Sequence, residues 1–391
     1  MITAEEVPAR HTSTPLQPPF RLLFGPGPSM VDPRVYEALS KPIVGHLDPY
    51  FFSVLEDVQK MLRVVFGTEK AFTMAVSGTG SAGMETAISN FVEPGMKLAV
   101  FANGYFCDRI SEMGKRHGAQ LVRFEKPWGE NFADDEATEF VRREKPHVVA
   151  YVHAETSTGA LQPGNVICRA AHEVGALVIA DCVTSLGAMP VNFDRTGIDV
   201  AYSCSQKALS CPPGLAPFAL SDRAMDWLKA RTSPCPSWYL DLKLLYDYYT
   251  GSHRYHHTAP IALFYALRQA LAIILEEGVE ERYQRHFRCH TRFVNGIEAM
   301  GLKMHVAPGR RIWNLNTVHV PAGIDDAKMR RSLLESNAIE IQGGFGPLAG
   351  KVFRIGIMGP LATDEYVRLL LTAFACALSA EGYNIPAQYA A

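Results

Sequence analysis

Phe72-Thr73-Met74-Ala75-Val76 runs directly into Ser77-Gly78-Thr79-Gly80-Ser81-Ala82-Gly83, and a helical pattern through Met84 and Ile88 follows. An apolar run of strand length, a turn rich in glycine and hydroxyl groups, and then a helix make up one β/α unit of a parallel layer. Unpaired N–H groups at a helix N-terminus make such a turn a cradle for an anion. Gly78, Gly80 and Gly83 also satisfy G-x-G-x-x-G. A dinucleotide site, however, needs an acidic residue about 20 positions on for the ribose hydroxyl, and Asn103 stands at the end of the next strand instead.

The same alternation extends on both sides. Apolar runs at Leu98–Ala102, Val148–Val152, Leu177–Ala180 and Val200–Ser203 are separated by helical stretches at 105–117, 135–144 and 166–174, and an amphipathic helix at 50–66 precedes them. Strands alternating with helices predict an α/β fold with a mainly parallel sheet covered on both faces. Past about residue 280 the pattern changes. Helical stretches at 259–277 and 279–300 lead into Asn314–Val320, Asp326–Ser336, Val352–Ile355 and Asp364–Leu378, a strand–helix–strand–helix run of a smaller α+β domain. Pro8, Pro15, Pro18 and Pro19 mark residues 1–20 as an extended arm. The expected organisation is an arm (1–20), a large domain (21–280) and a small C-terminal domain (281–391).

Composition narrows the function classes. The chain has 391 residues, 48% of them hydrophobic, and 38 basic against 40 acidic residues give a net charge of -2 with no basic block. Neither a nucleic-acid surface nor a polybasic membrane patch is supported. The most apolar stretch, Ala262 to Leu275, is interrupted by Arg268 and Gln269 and falls short of the roughly 20 residues of a membrane span. Eight scattered cysteines without a C-x-x-C pair fit a reducing compartment. With an acidic, non-apolar N-terminus, the expectation is a cytoplasmic protein.

Ligands of open α/β sheets lie beyond the carboxyl ends of the strands. Leu177-Val178-Ile179-Ala180 ends in Asp181, and Ser203-Cys204-Ser205-Gln206-Lys207 places a lysine just past another strand. An anion cradle, a strand-end carboxylate and a strand-end lysine, each from its own β/α unit, converge on one crevice. Pyridoxal phosphate calls for all three: a helix N-terminus for its phosphate, a carboxylate for its ring nitrogen and a deprotonatable lysine for Schiff-base formation. A stacking aromatic is also expected, and Tyr105-Phe106 follow a strand end.

Gly25-Pro26-Gly27-Pro28, Ser77-Gly78-Thr79-Gly80, His153-Ala154-Glu155-Thr156-Ser157-Thr158-Gly159, Ser205-Gln206-Lys207-Ala208-Leu209 and Tyr255-His256-His257-Thr258 together resemble the alanine–glyoxylate and serine–pyruvate aminotransferases, class V aminotransferases of fold type I. The resemblance runs from about residue 21 to 380. It implies that Lys207 is the Schiff-base lysine and proton shuttle, that Asp181 pairs with the ring nitrogen and that Val183 and Phe106 flank the ring. It further implies that Thr156 bonds the ring oxygen, that Thr79, Gly80, Ser81 and Gln206 hold the phosphate, and that Tyr255 and Thr258 of the partner subunit join them. Arg354 would clamp the substrate α-carboxylate, with Gly25 beside it. Implied as well are a homodimer with shared active sites and ping-pong transfer from alanine or serine to glyoxylate. Other small donors such as ureidoglycine, or pyruvate as acceptor, form the alternative. Ser81 and Phe106 stand where the animal members carry histidine and tryptophan, and Cys204 where the family pattern has glycine.

Competing chemistries find less support. A cysteine desulfurase needs a nucleophilic cysteine on a loop and a histidine before the lysine. Cys289 and Cys376 lie in helical patterns, and Gln206 precedes Lys207. His286, Cys289 and His290 share a helical face but lack a second cluster to complete a metal site, so no metal is expected. His153, at a strand end, is expected in a supporting role.

Overall fold

The computed structural model describes residues 15–386. Residues 1–14 of the expected arm lie outside this range, and 15–20 are exposed without regular structure. Seven strands form the main sheet: β1 (Phe72–Ser77), β2 (Lys97–Ala102), β3 (Gln120–Glu125), β4 (Val148–Val152), β5 (Leu177–Asp181), β6 (Val200–Tyr202) and β7 (Leu215–Leu220). Their order is β1-β7-β6-β5-β4-β2-β3, and only β7 runs against the others.

Helices cover both faces. Helix α1 (Pro49–Phe66) starts where Asp48 accepts from Tyr50 N at 2.8 Å with Pro49 in the first turn, and ends at Gly67, whose φ of 71° suits a residue without Cβ. Its Phe51, Leu55, Val58, Leu62, Val65 and Phe66 are buried, the spacing of one helical face. Helices α2 (Gly80–Phe91) and α3 (Tyr105–Arg116) follow β1 and β2 as the alternation predicts.

Two strands were not evident in the sequence. β3 is an edge strand with mixed polarity rather than an apolar run. β7 contains Pro217, which argues against a central strand because proline brings no ladder N–H. The structure accommodates it through a neighbour. Pro217 lies opposite Ala75, and the hydroxyl of Tyr249 donates to Ala75 O at 2.6 Å and sits 3.4 Å from Ala75 N.

A second hydrophobic cluster is built from α5 (Val279–Ala299), which follows α4 (Ile261–Glu277), and from α6 (Asp326–Asn337) and α7 (Asp364–Ala380), packed on the antiparallel strands β8 (Leu315–His319), β9 (Gln342–Gly343) and β10 (Val352–Gly356) in the order β8-β10-β9. Leu22 and Phe24 belong to it, since Leu22–Leu23 pairs in parallel with Ile339–Glu340. The chain therefore enters through the C-terminal cluster before building the main sheet. Among the described residues, no helix is long and apolar enough to cross a membrane.

Candidate active site

Six parallel strands end on one side of the sheet, and the turns that leave them carry most of the expected site. Asp181 closes β5 in register between Val152 and Tyr202. Its side chain is 2% exposed. Oδ1 accepts from Val183 N at 2.9 Å and Oδ2 from the Tyr202 hydroxyl at 2.9 Å. Burial outweighs these two bonds and pushes the carboxyl up to about 6. Such a group favours a cationic partner.

Lys207 is buried in the turn after β6. Nζ donates to Pro26 O at 2.5 Å and lies 3.4 Å from Thr156 Oγ1. Burial, with the Arg354 charge acting in the same direction, lowers its pKa to about 8. Gly27 explains the close approach of the 25–28 segment. Its φ is 129°, and a Cβ there would lie 3.2 Å from Lys207 Cε. Ser29 anchors the same turn, donating from Oγ to Lys207 O at 2.6 Å and from N to Gln206 O at 2.9 Å.

Thr156 links lysine to arginine. Its hydroxyl bonds that of Thr184, and its carbonyl lies 3.5 Å from Arg354 Nη1. Arg354, in the middle of β10, is 3% exposed, donates from Nε to Gly343 O at 2.7 Å and has the Phe345 ring centroid 3.8 Å from Cζ. Gly25 runs beside this strand. Phe24 O accepts from Gly356 N at 2.7 Å, and a Cβ on Gly356 would collide with Gly25 O.

At the end of β1, Thr79 caps α2 without a side-chain hydrogen bond, so the first-turn N–H groups remain available to an anion. Gly80 is buried under Val183 and Cys204; a Cβ would meet each at 3.1 Å. Ser81 Oγ accepts from Arg109 Nη1 at 2.9 Å. Gln206 Oε1 is buried without a hydrogen-bond partner. Phe106 is half-buried at the start of α3, its N–H donating to Glu155 Oε2 at 3.2 Å. Tyr255 and Thr258 stand apart. Both are exposed, Tyr255 packs 5.0 Å from the His46 ring, and neither hydrogen-bonds to the Lys207 surroundings among the described residues.

The helix start with no side-chain cap, the buried Asp181 with its raised pKa and the desolvated Lys207 match the needs of pyridoxal phosphate: an anion site, a ring-nitrogen partner and an amine. The residues present fit the group. Sequence reasoning missed Tyr202, Glu155 and Arg109. Tyr202 is separated from Asp181 by 21 residues and meets it only across the sheet. Arg109 lies one helical turn past Phe106, with Cζ 4.9 Å from that ring, a spacing that could have pointed to it.

The histidines with metal-like spacing have other partners. His290 Nδ1 bonds Asn316 Oδ1 at 2.8 Å, and His286 bonds backbone groups. Cys289 is buried and Cys376 exposed, both within helices. His153 Nδ1 bonds Ser185 Oγ at 2.9 Å, and burial lowers its pKa to about 4.

The family model of class V aminotransferases matches residues 22–365. An alanine–glyoxylate aminotransferase of Oryctolagus cuniculus is 39% identical over 368 residues, 93% of this chain and 94% of the relative. An (S)-ureidoglycine–glyoxylate transaminase of Bacillus subtilis is 35% identical over 387 residues, covering 94% and 93%. The solved alanine–glyoxylate aminotransferase of Nostoc sp. superposes with a TM-score of 0.92 at 45% identity, covering 93% of this chain and 97% of that one. With a carboxylate, a lysine and an anion cradle arranged as pyridoxal phosphate requires, the chain belongs to the class V aminotransferases, pyridoxal-phosphate enzymes of fold type I.

Proposed function

We propose that the protein transfers the amino group of a small amino acid, alanine or serine, to glyoxylate by a ping-pong mechanism. The Oryctolagus cuniculus and Nostoc relatives are both named alanine–glyoxylate aminotransferase, which supports alanine as donor and glyoxylate as acceptor. When bound, pyridoxal phosphate supplies an electrophilic carbon and a sink for the charge left at Cα. Thr79, Gly80, Ser81 and Gln206 would hold its phosphate, with the partner subunit's Tyr255 and Thr258. Asp181 would keep the ring nitrogen protonated, Thr156 would bond the ring oxygen, and Val183 and Phe106 would flank the ring. Lys207 would anchor the group and serve as the base that moves the proton at Cα. Arg354 holds the substrate carboxylate in a bidentate grip beside Gly25.

The observation that carries this reading is the meeting of Lys207 and Arg354 at one residue, Thr156. A base and a carboxylate clamp that reach the same residue from different elements are what proton transfer at the carbon next to a carboxylate demands. The test is a visible spectrum of the protein with pyridoxal phosphate, followed by single additions of L-alanine, L-serine and ureidoglycine. Bleaching by alanine or serine, restored by glyoxylate, supports the proposal. An unbleached band overturns the donor assignment, and absence of a band overturns the site. The Bacillus subtilis relative favours ureidoglycine as the second reading, and bleaching by it alone would select that one. Pyruvate in place of glyoxylate tests the acceptor.

We also infer a homodimer, a large domain ending near residue 280 and a cytoplasmic location. Exposure of Ile43, Leu47, Tyr50, Trp238, Tyr239 and Tyr255 supports the first. Separate hydrophobic clusters support the second. Eight unpaired cysteines support the third.

A further inference from the structure

His286 belongs to a network that joins the two halves of the site. Its Nδ1 lies 2.8 Å from Arg282 O, and its Nε2 lies 3.2 Å from Gly359 N. An amide N–H can only donate, so Nε2 accepts and Nδ1 carries the proton in a neutral ring. Burial drives the pKa of this ring down to about 3.

Around it, one carboxylate serves two guanidinium groups. Glu277, the last residue of α4, accepts from Arg282 Nη1 at 2.7 Å and from Arg285 Nε and Nη2 at 2.5 and 2.9 Å. Although burial raises its pKa, the bonds from Arg285 and the charge of Arg282 pull it down to about 2. Each arginine then reaches a different part of the site. Arg282, 3% exposed, donates to Gly187 O at 2.8 Å and to Ala208 O at 2.7 Å, the carbonyl next to Lys207. Arg285 donates to Gly359 O at 2.9 Å and to Ala362 O at 2.6 Å, in the turn that leaves β10, the strand of Arg354. The two turns also touch directly. Gly359 has a φ of 54°, and a Cβ there would lie within bonding distance of Ser210 Oγ, three residues past Lys207.

We infer that Glu277, Arg282, Arg285 and His286 form a brace that sets the separation of Lys207 from Arg354, and that they are positioning residues for amino-acid binding. The inference rests on the assignment of Lys207 and Arg354 above. A substrate spans the two groups, so a shift of one turn against the other misplaces Cα relative to the base. Glu277 is the joint because its charge compensates both guanidinium groups, one of them buried. Loss of that charge frees the two turns together.

The test compares wild type with Glu277→Gln. The expected result is a rise of about tenfold in KM for L-alanine, with pyridoxal phosphate binding in the absence of amino acid changed less than about twofold. Hydrogen exchange of the cofactor-free protein should quicken at both 208–211 and 359–362, and Arg285→Lys should retain more of the alanine affinity than Arg285→Gln. A folded Glu277→Gln protein with wild-type KM, or with exchange quickened in one turn only, overturns the inference. If Glu277→Gln fails to fold, Arg285→Gln must still raise KM. Should wild type neither bind pyridoxal phosphate nor transaminate, the functional assignment fails, and the exchange pattern alone decides the brace.

Discussion

The hydroxyl of Tyr202 donates to Asp181 Oδ2 at 2.9 Å across two neighbouring strands, in a place where the carboxylate has a single other hydrogen bond, from Val183 N. Without a cation beside it, Asp181 is a burden on the cofactor-free protein at neutral pH. Its carboxyl is raised from 3.8 to about 6, so the folded state holds a proton that the unfolded state releases. The stability this contributes is complete below 3.8 and is lost as pH rises through 6, a loss on the order of 3 kcal/mol. Asp181→Asn should therefore make the cofactor-free protein more stable at pH 7 and flatten the fall in Tm between pH 4 and 6.5, while pyridoxal phosphate affinity collapses. Thermal melts across that range check the sign. A variant that melts lower than wild type at pH 7 contradicts it.

Lys207 gives a kinetic counterpart. Its pKa, lowered from 10.5 to about 8 by burial and the Arg354 charge, leaves a minority of the amine neutral at pH 7. The rate at which pyridoxal phosphate attaches should climb about tenfold per pH unit below 8 and level off above it, as read by stopped-flow absorbance. Lys207→Ala should fold and lose both the visible band and turnover. Full turnover in that variant would disprove its role.

Arg354 should separate substrate from cofactor. Arg354→Ala removes a buried guanidinium and is expected to raise KM for both amino and keto acids by at least about a hundredfold, with little change in cofactor uptake. Equal Michaelis constants in the variant and wild type would assign the carboxylate clamp elsewhere.

Arg109 reaches the anion cradle through Ser81, at 2.9 Å. Arg109→Ala should weaken pyridoxal phosphate about fivefold to tenfold while leaving pyridoxal, which lacks the phosphate, nearly unaffected. Equilibrium binding of the two compounds supplies the ratio, and an equal loss for both would assign Arg109 to packing on Phe106 instead.

Tyr249→Phe should cost about 1–3 kcal/mol in urea unfolding, because the buried carbonyl of Ala75 would face Pro217 with no donor left. A change under about 0.5 kcal/mol would show that water replaces the hydroxyl.

How much of this was legible beforehand follows from the range of each interaction. Alternation of apolar runs with helical patterns is local. It located β1, β2, β4, β5 and β6 to within a residue or so, and with them the strand ends that bear Asp181, Lys207 and the 77–81 turn. The chemistry of those residue types then pointed to pyridoxal phosphate. β7 escaped because Pro217 is a poor strand residue by itself, and it becomes tolerable only when Tyr249, far along the chain, serves Ala75. The entry of Leu22 and Phe24 into the C-terminal cluster, the Tyr202 bond to Asp181 and the Glu277 brace share that character. Each depends on groups separated by tens to hundreds of residues, in the brace through its arms to Ala208 and Gly359, so no periodicity records it. The order of residues determined which chemistry the chain can hold. Only the tertiary structure decided how buried each charge is, what it touches and therefore at what pH it works, because desolvation and hydrogen bonding are set by the assembled surroundings.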